Sequence, residues 1–175
     1  MSLLIELIKG EKSLLVLDID DTILKHPEIT YKWWKNTFDY YYNNHNDYDL
    51  AEQQSLKLWE DHISENLPVH TNEYELNQLL LKCKELNIRV ICLTARNNHL
   101  EKVTLQHLKH LNIQIDEIYY NNNKGDFLKS FCLENNIIGK DAHIFFIDDL
   151  KSNIDDVNEK LSELDINIYS HHINC

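Results

Sequence analysis

Residues 14–24 read LLVLDIDDTIL and decide how the rest of the chain is interpreted. The four apolar residues 14–17 are too few for a free-standing helix and run directly into acidic residues, which is typical of a buried strand. In an extended chain the side chains of Asp18 and Asp20 start on the same side, whereas Asp21 points elsewhere. Two neighbouring carboxylates favour a hard cation such as Mg²⁺, which prefers oxygen ligands. The stretch therefore predicts a strand that ends in a candidate metal site.

The next residue, Thr22, adds a short hydroxyl that can bond a phosphate oxygen or cap the turn. From this stretch alone, an Asp-rich turn without chemical function is the alternative, because short motifs also arise by chance. The pattern of the remaining chain has to separate the two interpretations.

Length, charge and cysteine content exclude several classes of protein. The 175 residues fit one domain, 1–175, with room for a modest insertion. Seventeen basic and 29 acidic residues give a net charge of -12, which argues against nucleic acid or an acidic membrane as a partner. The four cysteines show no C-x-x-C spacing, so we expect reduced thiols. We expect a cytoplasmic protein, since no segment can span a membrane and residues 1–10 resemble an amphipathic helix more than a signal peptide. Export by a route without a signal peptide stays open.

Alternating periodicities along the chain predict strands separated by helices. After the first strand, short β-branched or apolar runs predict four more, at residues 89–93, 115–120, 143–147 and 166–169. Segments with apolar residues at helical spacing lie between them. This alternation indicates βαβ units, so the predicted fold is α/β, a doubly wound Rossmann-like parallel sheet of about five strands.

Residues 28–70 differ from this pattern and predict a small helical insertion after the first strand. Two runs at helical spacing carry it: Tyr31, Trp34, Phe38, Tyr41 and Tyr42, then Leu58, Trp59 and Ile63. Packing within a helical hairpin is one explanation of these aromatic residues. The other is a cap in which some of Trp33, Tyr40 and Tyr42 form a hydrophobic wall against a substrate. The sequence leaves both explanations open.

Polar residues follow three of the predicted strands. They are Asp18, Asp20 and Thr22 after the first strand, Thr94 after the second, and Asp148 and Asp149 after the fourth, with Lys124 on a predicted loop before the fourth. Because the carboxyl ends of parallel strands meet at one edge of a sheet, we expect these side chains to converge there. Convergence of this kind favours a chemical site over a plain turn.

The order of these groups resembles the haloacid dehalogenase-like phosphatases, whose motifs are D-x-D-x-T, a hydroxyl residue, a lysine and an acidic pair. The matching stretches are DIDDT from Asp18, ICLT ending at Thr94, NKGD with Lys124, and FFIDD ending at Asp149. The T-A-R form of the second motif, which ends at Arg96, also resembles the bacterial acid-phosphatase branch of that superfamily. The resemblance covers residues 14–153 apart from the insertion and says little about the substrate.

The resemblance implies a Mg²⁺-dependent hydrolase that acts on a small phosphorylated substrate. It implies that Asp18 attacks phosphorus to form an aspartyl-phosphate and that Asp20 serves as general acid and base. The implied metal ligands are Asp18, the backbone carbonyl of Asp20, and Asp148. Asp149 would bind the ion through water or orient the other ligands.

The phosphate-binding residues that the resemblance implies are Thr94 and Lys124, which would meet the oxygens of the transferring phosphoryl group. Thr22 is a further candidate. Lys129 and Lys140 compete with Lys124, but the first falls inside a predicted helix and the second in a predicted turn. We therefore expect Lys124 to be the lysine of the site.

Two further polar residues have two interpretations each. Arg96 can bind phosphate as a bidentate donor, or support the strand end through a salt bridge. Asn153 can bond the acidic pair or lie exposed on a helix. The ten histidines form no H-x-x-x-H pair, which argues against a zinc site.

Two other functions remain as alternatives to a phosphatase. One is a receiver-like signalling module, although receivers place the acidic pair after the first strand, whereas here the pair comes last. The other is a catalytically idle protein that keeps the fold, although every motif position is filled. The oligomeric state cannot be inferred from the sequence.

Overall fold

The computed structural model describes residues 12–173, so the amphipathic helix predicted for residues 1–10 lies outside the described residues. The chain forms two compact units. The first comprises Met1–Leu24, Thr71–Asn98 and Gln114–Cys175, and the second comprises Lys25–His70 and His99–Ile113. The second unit thus joins the predicted insertion with a later stretch of the chain.

A parallel sheet forms the centre of the first unit. Within residues 12–173 the strands are β1 Ser13–Leu17, β2 Leu24–Lys25, β3 Val69–His70, β4 Arg89–Thr94, β5 Glu117–Tyr120, β6 His143–Asp148 and β7 Asn167–His172. Five of them form one sheet in the order β5-β4-β1-β6-β7, with every pair parallel. The register sets Leu17 of β1 beside Cys92 and Ile147, so three strands end side by side. The predicted α/β class with a five-stranded parallel sheet is confirmed.

Helices connect the strands. They are α1 Tyr31–His45, α2 Tyr48–Glu65, α3 Glu73–Glu85, α4 Glu101–His110, α5 Lys124–Glu134 and α6 Lys151–Leu161. Asn72 caps α3, because its side-chain oxygen accepts a hydrogen bond from the Glu75 N–H at 3.2 Å. None of the helices in the described part of the chain is long and apolar enough to cross a membrane.

Asparagine performs a role at helix ends that glycine more often fills. Asn46, Asn87, Asn112 and Asn136 have positive φ angles of 50, 54, 54 and 56°, and each lies within two residues of the end of a helix. Asparagine tolerates this left-handed conformation better than most residues. The chain has only three glycines, which explains why asparagine is used here.

The core of the first unit explains why the central strands are apolar along their whole length. All five residues of β1 are buried. On one face of the sheet, strand residues pack against α5 and α6; these are Leu14, Val16, Ile91, Leu93, Ile144 and Phe146 from the strands, and Leu128, Phe131, Cys132, Ile154, Val157 and Leu161 from the helices. Helices on a parallel sheet require strands that are buried on both sides, and this is the pattern that the sequence shows.

The second unit pairs α1 with α2, as the two helical runs predict, but its burial differs from the expected pattern. α1 has no buried residue, and Tyr31 is 81% exposed. In α2 the buried residues are Ala51, Ser55 and Ile63, while Leu58 is 41% exposed. Packing within a helical hairpin, the first of the two explanations, therefore does not bury Tyr31 and Leu58. Helical spacing selects one face of a helix, but it does not show how much of that face a neighbour covers.

A second, two-stranded sheet was not predicted. β2 pairs with β3, and these strands flank the helical insertion. Each has only two residues, which is too short for a period of two to be recognised in a sequence.

Candidate active site

Asp18 follows the central strand directly and is held from several sides. Its backbone N–H donates to the Ile147 carbonyl at 2.9 Å, which fixes it beside the end of β6. One carboxylate oxygen accepts a hydrogen bond from Lys124 Nζ at 2.5 Å, and the Thr22 hydroxyl donates to the other at 3.4 Å. The side chain is 9% exposed. A nearly buried carboxylate with fixed orientation therefore stands at the centre of the sheet edge.

Two further carboxylates complete an acidic cluster with Asp18. One oxygen from each of Asp18, Asp148 and Asp149 lies within 4.8 Å of the others. Asp148 is fully buried and accepts hydrogen bonds from the Leu150 N–H at 2.8 Å and from Asn153 Nδ2 at 3.0 and 3.1 Å. Of the two interpretations of Asn153, the bond to the acidic pair is confirmed.

The chemistry of this cluster fits a hard divalent cation. Its three side chains offer oxygen ligands only, the donor set that Mg²⁺ prefers, and they carry more negative charge than Lys124 alone can balance. The side chain of Asp20 is outside this group, and a role for its backbone carbonyl as a metal ligand stays a prediction. Thr22 is fully buried and its hydroxyl lies 3.5 Å from Asp149 Oδ1, so it contacts the carboxylates of the cluster.

Lys124 is almost completely buried, and its positive charge offsets part of the repulsion between the neighbouring carboxylates. Its Nζ donates to Asp18 Oδ1 at 2.5 Å and to Asp148 Oδ2 at 2.7 Å. The two competing lysines lie elsewhere: Lys129 is paired with Glu163 near the surface, and Lys140 is exposed. The expectation that Lys124 is the lysine at this edge of the sheet therefore agrees with its position.

The expectation that Lys124 lies on a loop is wrong, because α5 begins at this residue. Asp156 of α6 accepts a hydrogen bond from the Gly125 N–H at 2.8 Å and so satisfies an amide of the first turn. A Cβ at Gly125 would lie 2.5 Å from Asp156 Oδ2, so only glycine permits this approach. A carboxylate 31 residues away thus stabilises the start of the helix, which the local sequence cannot reveal.

Burial and charge together raise the proton affinity of the acidic cluster. Burial raises the pKa of Asp18 to about 7, with Lys124 opposing the shift and Asp148 adding to it. Burial also raises the pKa of Asp149 to about 6, helped by the charges of Asp148 and Asp21. For Lys124, burial lowers the pKa, but Asp18 and Asp148 outweigh it and the net pKa is raised. The cluster therefore resists full ionisation unless a further positive charge is bound.

A second network joins the ends of β1 and β4. Thr94 is 1% exposed, and its hydroxyl oxygen accepts a hydrogen bond from the Arg96 backbone N–H at 3.1 Å. The Arg96 guanidinium donates from Nε and Nη2 to the two oxygens of Asp20, both at 2.7 Å. Of the two interpretations of Arg96, the structure contains the salt bridge, while a contact with phosphate stays a prediction.

One contact of the acidic pair was missed by the sequence interpretation. β7 extends to His172, which is three residues beyond its predicted end, and pairs with Asp148. His172 Nε2 lies 2.8 Å from the Asp149 carbonyl oxygen, and the Ile173 N–H donates to the Asp148 carbonyl at 3.0 Å. Residues 170–172 are polar, so the sequence did not indicate that the strand continues through them.

Comparisons with known proteins bear on the fold and on the family. The chain is similar in structure to a protein whose crystal structure is described as that of a "putative beta-phosphoglucomutase from Thermotoga maritima", with a TM-score of 0.56 and 13% sequence identity. The match covers 94% of this chain and 88% of the other. At this identity the likeness shows a shared fold alone.

Sequence comparison adds a family. A search of curated proteins finds no significant match to this chain. The model of a family described as "Protein of unknown function (DUF2608)" matches residues 4–122, which is more than half of the chain. The chain therefore belongs to the DUF2608 family.

Proposed function

We propose that this protein is a Mg²⁺-dependent phosphomonoester hydrolase of the haloacid dehalogenase-like type, which works through an aspartyl-phosphate on Asp18. The observation that carries the proposal is the contact of Lys124 Nζ with Asp18 and Asp148, two members of a cluster of three carboxylates. A carboxylate held in this way beside a buried cation is arranged to meet an anionic substrate. The order of the four motifs along the chain supports the same reaction.

Each half of the reaction uses the two aspartates in turn. Asp18 attacks phosphorus through one carboxylate oxygen, the bond from phosphorus to the leaving oxygen breaks, and that oxygen takes the proton of the Asp20 carboxyl group. Water then attacks the phosphorus of the aspartyl-phosphate and passes a proton to Asp20. The bond from phosphorus to Asp18 breaks, which releases inorganic phosphate and restores both side chains.

The remaining residues of the site bind and orient. The Thr94 hydroxyl oxygen accepts a hydrogen bond from the Arg96 N–H, which leaves its O–H as a donor for a phosphoryl oxygen. Lys124 supplies positive charge beside the nucleophile. Asp18, Asp148 and the backbone carbonyl of Asp20 would hold the ion, with Asp149 as a further or water-mediated ligand. When bound, Mg²⁺ would offset the repulsion between a carboxylate nucleophile and an anionic phosphate.

The experiment that tests the proposal is a phosphatase assay with a broad panel of phosphomonoesters, run with and without Mg²⁺. We expect hydrolysis of part of the panel, loss of activity in excess chelator, and recovery with Mg²⁺. Ca²⁺ should compete for the acids yet support little turnover, because its longer bonds and looser geometry misplace the reacting groups. Equal activity in chelator and in Mg²⁺ would refute the metal role, and inactivity against the whole panel would refute the proposed reaction.

A further inference from the structure

The ion pair between Arg96 and Asp20 is bidentate. Neither binding of phosphate by Arg96 nor packing of its side chain requires this geometry. Two nitrogens of the guanidinium meet two oxygens of the carboxylate, each at 2.7 Å. The Arg96 side chain is 0% exposed and that of Asp20 is 28% exposed. The buried, planar guanidinium of Arg96 therefore forms a bidentate ion pair with the Asp20 carboxylate, which is still partly exposed to solvent.

Asp20 lies in a turn, outside the strands of the five-stranded sheet. β1 ends at Leu17, and the backbone then makes a tight turn in which the N–H groups of Ile23 and Leu24 both donate to the Ile19 carbonyl, at 3.0 and 3.1 Å. Asp21, inside the turn, has a positive φ of 53°. A side chain on such a turn needs an additional contact to keep one orientation.

Arg96 offers that contact from a rigid support. Its backbone N–H is bonded to the Thr94 hydroxyl, and the Thr94 carbonyl accepts a hydrogen bond from the Asn121 N–H at 2.8 Å. Arg96 is therefore held at the end of β4, one of the central strands. Through its ion pair it fixes Asp20 relative to that strand.

We propose that Arg96 is a positioning residue for Asp20: its two hydrogen bonds fix the carboxylate in the orientation in which it exchanges a proton with the leaving oxygen and with water. The inference rests on the proposed phosphatase activity and assigns Arg96 a role other than that of a phosphate ligand. A planar fork fixes both position and plane of a carboxylate, whereas a lysine ammonium acts as a point charge and fixes neither.

The test compares Arg96→Lys, Arg96→Met, Asp20→Asn and the double variant Asp20→Asn/Arg96→Met. For each, kcat and KM are measured with p-nitrophenyl phosphate and with an alkyl phosphate, and inorganic phosphate is titrated as a competitive inhibitor. The chain has two arginines, and Arg89 at the opposite end of β4 is also ion-paired, with Glu117. Arg89→Lys is therefore a matched control, and it should leave kcat unchanged.

We expect both Arg96 variants to lower kcat by about 10- to 100-fold, as a displaced catalytic group does. KM and the inhibition constant of phosphate should change by less than about twofold, because uniform binding is retained. Asp20→Asn alone should lose about 10²-fold or more, with a smaller loss for the p-nitrophenyl ester, whose leaving group needs no proton. Since Arg96 acts through Asp20, the double variant should be no slower than Asp20→Asn.

The outcomes distinguish a failure of the proposed function from a failure of this inference alone. If the wild-type protein hydrolyses no ester with or without Mg²⁺, the proposed function fails and this inference fails with it. If the wild type is active but the Arg96 variants raise KM and the phosphate inhibition constant, Arg96 is a phosphate ligand and this inference alone fails. If the fold-losses in kcat of Asp20→Asn and Arg96→Met multiply in the double variant, the two residues act independently and this inference alone fails. Should Arg96→Met melt below the assay temperature, Arg96→Lys decides, because it keeps the buried charge and loses the fork.

Discussion

The end of the central sheet and helix α1 place their side chains in opposite ways. At the sheet end, Lys124 is 1% exposed and Asp148 is 0% exposed, although both carry charge. In α1 no residue is buried, and three of its aromatic side chains are exposed, with Tyr31 at 81% and Tyr40 at 64%. Burying charge is unfavourable unless each group finds a partner, so a buried network of paired charges is the stronger indication of a candidate functional site. Exposed aromatic rings have no such requirement, and their pattern alone says less.

The largest effect that this contrast predicts is the loss of turnover in Asp18→Asn. The change is nearly isosteric and lessens repulsion with Asp148, so the fold should persist while the nucleophile is lost. We expect kcat to fall by about 10⁴-fold or more, as it does when a nucleophile is removed from an enzyme that depends on it. The matched control in α1 is Asp39→Asn, which removes a 48% exposed carboxylate and should leave kcat unchanged. Substantial Mg²⁺-dependent activity in Asp18→Asn would exclude Asp18 as nucleophile.

Removal of one lysine from each region compares their contributions to stability. Lys124→Met leaves Asp18 and Asp148 facing one another without their cation, and breaking a buried charge network in this way costs about 3–5 kcal/mol. Lys35→Met in α1 removes an exposed pair with Asp39, which is solvated and screened by salt. Urea unfolding of both variants measures the difference. Equal midpoints for the two would contradict the interpretation of the Lys124 network as a buried and mutually dependent unit.

The sequence predicted which residues lie at this edge of the sheet, because the strand topology alone decides which strand ends are neighbours. Once a parallel sheet is inferred, the ends of β1, β4 and β6 must be neighbours, and Asp18, Thr94 and Asp148 come together without any knowledge of side-chain packing. The sheet itself follows from short apolar runs, which few other structures accommodate.

What the sequence did not predict depends on contacts between distant residues. The first turn of α5 is bonded to Asp156, and the last residue of β7, His172, is paired with Asp148 of β6. The pairing of Arg96 with Asp20 joins residues 76 positions apart. For α1, periodicity identified the helix but could not show that its aromatic face is covered only in part. Local patterns specify elements, whereas contacts of this kind are visible only in the folded chain.

The acidic cluster should also give the metal-free protein an unusual dependence of stability on pH. The pKa values of Asp18 and Asp149 are raised to about 7 and about 6, so between about pH 4 and pH 7 the folded state binds more protons than the unfolded state. The free energy of unfolding must then decrease as the pH rises through this window. We expect Tm in chelator to be lower near pH 8 than near pH 5, by about 2–4 °C for each kcal/mol involved.

Two controls isolate the cluster from the other ionisable groups of the chain. Asp149→Asn removes one of the two raised groups and should flatten the dependence of Tm on pH. Mg²⁺ should do the same in the wild type, because an ion bound to the ionised carboxylates stabilises the folded state most at high pH. A dependence identical in the wild type, in Asp149→Asn and in Mg²⁺ would show that other groups cause it.

The smallest effect is expected on the exposed face of α1. Tyr40→Ala should change the free energy of unfolding by less than about 0.5 kcal/mol, since the side chain is mostly in solvent. Ile63→Ala in α2 removes a fully buried side chain of the same unit and should cost about 2–5 kcal/mol. A folded Tyr40→Ala variant also tests the prediction that aromatic residues of the insertion contact the substrate, because a changed ranking of kcat/KM among esters could not then be attributed to lost packing. An unchanged ranking in the alanine variants of Trp33, Tyr40 and Tyr42 would exclude that role and assign the choice of leaving group to other residues.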